Sequence, residues 1–156
     1  MVLSQYPRED KISRTDDEIW TVYKRPLAEK AVVSVLRPKT ISTTDFKISF
    51  EYAFRNGHWH ALQPLSLDFA RPESIQRKAA TWLGNCTAIK GSDELSKVYL
   101  LLGAPQLQAY KSAYEKAKSV LNKIPIKHEI IEETGASQFA EQLRGYMKKH
   151  TVLPEE

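Results

Sequence analysis

Phe46, Ile48, Phe50, Tyr52 and Phe54 occupy every second position, and Asn56-Gly57 follows directly. Alternate residues of a strand point to one side, so this spacing predicts a strand with one five-residue apolar face. Asn-Gly is the preferred pair for a two-residue type I′ turn, because both residues tolerate positive φ. His58 to Leu67 then reads as the returning strand of a hairpin. A two-residue loop sets Arg55 opposite His58, Phe54 opposite Trp59, Tyr52 opposite Ala61, Ile48 opposite Leu65 and Phe46 opposite Leu67. This register gathers the apolar residues on one face and leaves His58 and His60 on the other. Pro64 cannot donate to a ladder, which predicts an edge or a bulge there.

The flanking segments read as follows. Thr15-Asp16-Asp17-Glu18 has the form of a capping box before a helix carrying Ile19, Trp20 and Tyr23. Pro26 ends or kinks it. Leu27 to Leu36 continue at helical spacing, with a strand as the competing reading because of Val32-Val33, until Arg37-Pro38 stops the element. Pro72 opens a helix with a buried stripe of Ile75, Ala79, Trp82 and Leu83, and Gly84 suits its end. Residues 85–95 read as a polar connection. Val98 to Leu102 is apolar on both faces, as in a central strand. A helix from Leu107 to Leu121, a strand over 126–132 and a helix from Phe139 to Met147 complete the chain.

The predicted class is α/β, or mixed α+β: a β-hairpin followed by two β–α units, a mixed sheet flanked by helices, and a helix in front. Strands 98–102 and 126–132 should lie parallel through a right-handed crossover. Residues 1–14 read as a flexible leader, 15–150 as one domain and 151–156 as a frayed tail.

Composition narrows the setting. With 156 residues, 42% hydrophobic and 27% charged, the chain is long enough to bury a core unaided. Cys86 is the lone cysteine, no run approaches a membrane span and the first residues lack a secretory pattern, so a cytoplasmic protein is expected. The net charge of +4 is spread among interleaved acids and bases, the pattern of a solvated surface.

Few residues suggest chemistry. His58 and His60 share a strand face with Glu51 diagonal to them, a metal-ligand triad by residue type. Arg55 and Lys47 on the same face argue against a dication, so no metal and no cofactor is expected. On this reading His60→Ala costs within about 0.5 kcal/mol, whereas Phe50→Ala costs about 3–5 kcal/mol. Cys86 follows a helix end, which disfavours a thiolate. Gly103-Ala104-Pro105 sits where open α/β sheets bind ligands, yet lacks a dinucleotide or P-loop spacing. A restriction-endonuclease type of site needs an acid before the hairpin and an acid-x-Lys on its second strand. Asp45 meets the first requirement, but the second strand offers Gln63-Pro64-Leu65 with no lysine. Glu129, Glu132 and Glu133 read as the solvated end of a strand. No catalytic residues are assigned. Basic residues lie on helices, and Arg71, Arg77, Lys78, Lys111 and Lys118 are the candidates for nucleic-acid contact, with no aromatic-basic motif beside them.

The segments Phe50 to Gly57, Gln63 to Asp68 and Ile75 to Ala79 resemble the C-terminal α/β domain of uncharacterised bacterial proteins from phage-derived or defence-associated regions. The resemblance covers roughly residues 45–135 and carries no catalytic residues. It implies that the chain is the second half of a longer architecture, with residues 1–44 a shortened opening. The expectation is a non-enzymatic protein-interaction or regulatory domain, which self-associates or binds another protein through surface aromatics such as Trp20, Trp59 and Trp82. The alternative is a nucleic-acid-binding or nuclease-like domain lacking a complete active site.

Overall fold

A computed structural model describes residues 13–150 and Val152. The expected leader, apart from Ser13 and Arg14, and the expected tail, apart from Val152, lie outside the described residues. The Thr15 capping box forms as read: Thr15 Oγ1 accepts from the Glu18 N–H at 3.1 Å, and Glu18 accepts from the Thr15 N–H at 2.9 Å. Helix α1 spans Asp16–Glu29 and continues through Pro26. It does not run on to Leu36. Ala31 takes φ of 59°, the Val32 N–H bonds to the Leu27 carbonyl and the Ala31 N–H to that of Ala28, which together terminate the helix. Val32 and Leu27, both fully buried, close the apolar contact of that motif.

Strand β1, Arg37–Ser42, follows where the sequence suggested only a stop. Next come β2 (Lys47–Asn56), β3 (His58–Ser66), α2 (Pro72–Ala88), β4 (Leu95–Gly103), α3 (Lys111–Leu121), β5 (His128–Ile131) and α4 (Ala136–Lys149). The strands lie in the order β1-β2-β3-β4-β5, antiparallel over the first three and parallel from β3 to β5. Helices α2 and α3 cover one face and α1 and α4 the other. The α/β class is therefore as expected. Helix α2 passes through Gly84, because the buried Cys86 and the half-buried Leu83 keep the stripe going beyond it.

The hairpin differs in register from the sequence reading. Asn56 pairs with His58, leaving Gly57 alone at the tip with φ of 72°, and Tyr52 pairs with Leu62. One glycine, not an Asn-Gly pair, makes the turn, the partners of Tyr52 to Arg55 shift by one, and Ile48 and Phe46, expected opposite Leu65 and Leu67, do not pair with β3. Strand β2 also carries an extra residue: Arg37 pairs with Ala53 but Lys39 with Phe50. This bulge reverses the alternation. Ile48 and Phe50 pack toward α2 and α3, whereas Tyr52 and Phe54 pack toward α1 and α4. The aromatic stripe thus feeds both cores. Pro64 pairs with Leu101 on one side and has no β2 partner on the other, so this part of β3 is a local edge, as the missing donor predicted.

The histidines separate as a result. His58 is exposed at the tip, while His60 is 6% exposed and stacks flat on Phe54, with ring centroids 4.7 Å apart. Its Nδ1 has no hydrogen-bond partner among the described residues. His60 is thus a core residue, and His60→Ala should cost about 1–3 kcal/mol, contrary to the surface reading.

Two predictions follow from this packing. A methyl group on Gly103 would collide with Cδ1 and Cγ1 of the fully buried Ile19. Gly103→Ala should cost about 1–3 kcal/mol in urea melts, and Ile19→Ala should relieve most of that cost. His60 is pushed down to about 4 from 6.5, first by burial and then by Lys97, Lys127, His150 and His58. The unfolded chain takes up that proton first, so this stability is whole above about pH 6.5 and is lost as pH falls through about 4. Urea titrations at neutral pH and near pH 4 should show the wild type losing roughly 2–3 kcal/mol more than His60→Leu; equal losses would contradict the burial.

Candidate functional site

Strand β3 pairs with β2 only from His58 to Leu62, and from Gln63 onward its register partners lie on β4 alone. Beyond the bulge β2 pairs only with β1. The sheet therefore opens between β2 and β3. Pro64 lies in this stretch, where a residue with no N–H leaves nothing unsatisfied. The Ser66 N–H, with no strand partner on that side, donates to Asp16 Oδ1 at 2.7 Å. Lys78 Nζ from α2 donates to the same oxygen at 2.9 Å and to the Ser66 carbonyl at 3.3 Å. Asp16 and Lys78 thus stand in for the missing strand.

The opening is a cleft of about 380 Å³ lined by Thr15, Asp16, Asp17, Glu51, Tyr52, Gln63, Pro64 and Lys78. Asp17 and Glu51 are exposed and have no ion-pair partner among the described residues. Both raise the Tyr52 phenol above its ordinary range, behind burial as the larger cause. Tyr52 is fixed by Trp20, stacked at 3.9 Å. The cleft therefore combines two unneutralised carboxylates, a third carboxylate shared with an ammonium, and an amide.

The carboxyl ends of β3, β4 and β5 are filled by the protein itself. Arg14 Nε binds Asp68 Oδ2 at 2.7 Å, Nη1 binds Glu133 Oε2 at 2.6 Å and Nη2 binds the Ala104 carbonyl at 2.7 Å. Glu133 Oε1 also accepts from the Ala104 N–H at 3.0 Å. The bond to Glu133 leads in holding the Arg14 guanidinium above its ordinary range. Beneath it the Tyr23 hydroxyl, raised by burial, donates to the Leu102 and Ile131 carbonyls. Glu132 accepts from Tyr114 and Lys118, and Glu129 from Lys97. These three glutamates are braces and not the loose end of a strand. Gly103-Ala104-Pro105 is the turn that the sequence suggested.

The predicted site residues disperse. Glu51 lines the cleft, His58 lies at the turn and His60 is buried toward α4, and no group of three His, Cys, Asp or Glu side chains among the described residues is placed to hold a metal ion. Arg71 pairs with Glu73, Lys118 with Glu115 and Glu132, and Lys78 with Asp16. Arg77 and Lys111 are exposed. The buried Cys86 thiol is pushed up to about 12 by burial. Sequence reasoning missed Asp16, Asp17 and Gln63 as a group; the signal was Pro64, whose lost donor called for a gap in the ladder. No helix among the described residues is long and apolar enough to cross a membrane. No family model, curated protein or solved structure matches this chain, and the resemblance to phage- or defence-associated proteins stands as an expectation.

The Arg14 clamp predicts its own cost. Arg14→Met leaves Asp68, whose side chain is 2% exposed, without its cation. The loss should be about 3 kcal/mol in chemical denaturation; a change below about 0.5 kcal/mol would class the clamp with ordinary surface pairs.

Proposed function

We propose that the cleft between β2 and β3 is the working site of a nuclease-like domain that acts on a nucleic-acid phosphodiester. The observation that carries this reading is the convergence of carboxylates from α1 and β2 with a lysine from α2 at a break in the sheet. The strand position that would carry a lysine holds Leu65, and Lys78 supplies the ammonium from the neighbouring helix.

The donor set is made of hard oxygens, which suits Mg²⁺ or Mn²⁺ and not zinc. No three carboxylates among the described residues are placed to ligate an ion directly, so Asp17 and Glu51 would hold a cation that keeps most of its waters, which would polarise a phosphoryl oxygen and lower the pKa of a bound water. Lys78 would meet a phosphate held beside it, Asp16 fixes the Lys78 side chain through its 2.9 Å bond, and the Gln63 amide, which donates one N–H to the Pro64 carbonyl at 2.8 Å, has a second to offer.

The interaction-domain reading has less support. Of its tryptophans, Trp20 is 6% exposed, and Trp59 and Trp82 are half-buried, packed against the core under α2 and α3. The exposed large apolar side chains, Phe46 and Leu107, lie far apart in the chain.

Labelled single-stranded and duplex DNA and RNA, incubated with Mg²⁺ or Mn²⁺, should be cleaved, and chelation should stop the reaction. Glu51→Gln and Lys78→Met should each reduce the rate by about 10²–10³-fold with the fold intact by circular dichroism. No cleavage of any substrate, or cleavage at the wild-type rate by both variants, would overturn the reading.

A further inference from the structure

The helix lysines read as nucleic-acid contacts are partly neutralised, but another basic surface forms on the sheet. Strand register places Arg55 directly opposite Trp59, and Arg37 opposite Ala53, two residues along β2 on the same side. The Arg37 guanidinium lies 5.0 Å from the centre of the Trp59 ring and the Lys39 ammonium 5.3 Å from it. Trp59 is half-buried, with its inner side against the core under α2 and α3. Strand β1 thus sets Arg37 and Lys39 over the indole, and β2 sets Arg55 opposite Trp59 in the ladder, at the hairpin end of the sheet.

The charge there is not balanced. Lys39 pairs with Glu94 at 2.7 Å. Arg37 and Arg55 are exposed, and neither has an ion-pair partner among the described residues. The face of the indole ring offsets part of the repulsion among these cations, and an anionic partner would offset the rest. A guanidinium presents a planar fork that matches phosphate oxygens, and the half-buried indole already carries Arg37 and Lys39 over its ring. Arg55 and Glu51 lie four residues apart on β2, on either side of the bulge.

We propose that Arg37, Arg55 and Trp59 form a docking surface for the phosphodiester backbone and bases of a nucleic acid. The partner class rests on the reading of the cleft, while the surface itself rests on the strand register and the uncompensated arginines. An acidic protein segment is the competing occupant. Its carboxylates would satisfy the same guanidinium groups, so competition separates the two.

The test is fluorescence anisotropy of a labelled oligonucleotide, single-stranded or duplex, titrated with the full chain in chelator so that nothing is cleaved. Binding should weaken with salt, and Arg37→Ala/Arg55→Ala should flatten the log–log salt slope by about two. Trp59→Phe should remove the tryptophan quenching that accompanies binding, while Glu51→Gln should bind like the wild type. Wild-type affinity in the double arginine variant would overturn the docking surface, and cleavage lost in Glu51→Gln would still support the cleft. Absence of binding by the wild type would overturn the docking surface as well. Equal competition by poly-glutamate at the same charge concentration would assign the surface to an acidic protein and overturn the proposal.

Discussion

The fold turns on a stretch of β3 that has no neighbour on one side. A buried strand must find a partner for each of its N–H and C=O groups. Where β2 leaves, Pro64 removes one donor, and Asp16 and Lys78 satisfy the Ser66 N–H and carbonyl. That repair fixes the start of α1 and the first turns of α2 against the sheet. It also brings charged side chains to a place where a continuous sheet would have put backbone. The site and the packing of α1 and α2 thus have a common cause in a missing ladder.

Two openings of the sheet are treated differently. Open α/β sheets usually leave a crevice at the carboxyl ends of their strands. Here Arg14, Tyr23 and Glu133 occupy it with bonds that leave few polar groups free. The cleft on the antiparallel side keeps Asp17 and Glu51 unpaired. Pairing thus neutralises the charges of the first, and incomplete pairing leaves carboxylates uncompensated in the second.

The general architecture was legible because local signals were strong. Thr15 and Glu18 marked a helix start, Val98 to Leu102 marked a central strand, and helical spacing located α2, α3 and α4. Register was not legible. Asn56-Gly57 predicted a two-residue loop, but the chain turns on Gly57 alone, and a bulge in β2 opposite Pro38 then reversed the alternation. A one-residue change in pairing exchanges the two faces of a strand, so His60 moved from the expected surface to the core. The site was illegible for a related reason. Asp16, Glu51, Gln63 and Lys78 sit on four elements, and only the gap in the sheet brings them together. The same holds for Arg37, Arg55 and Trp59, whose proximity depends on both register and bulge.

The Arg14 clamp has a further consequence, for the order of events during folding. Its partners lie 54, 90 and 119 residues away in the chain. Such contacts carry a large loop-closure cost and form only when the intervening elements are already in place. The clamp therefore contributes little at the folding barrier and much after it. Interactions of that kind leave the folding rate nearly unchanged and slow unfolding. Arg14 closes the structure behind the folded chain, so its worth is measured mainly in the lifetime of the native state.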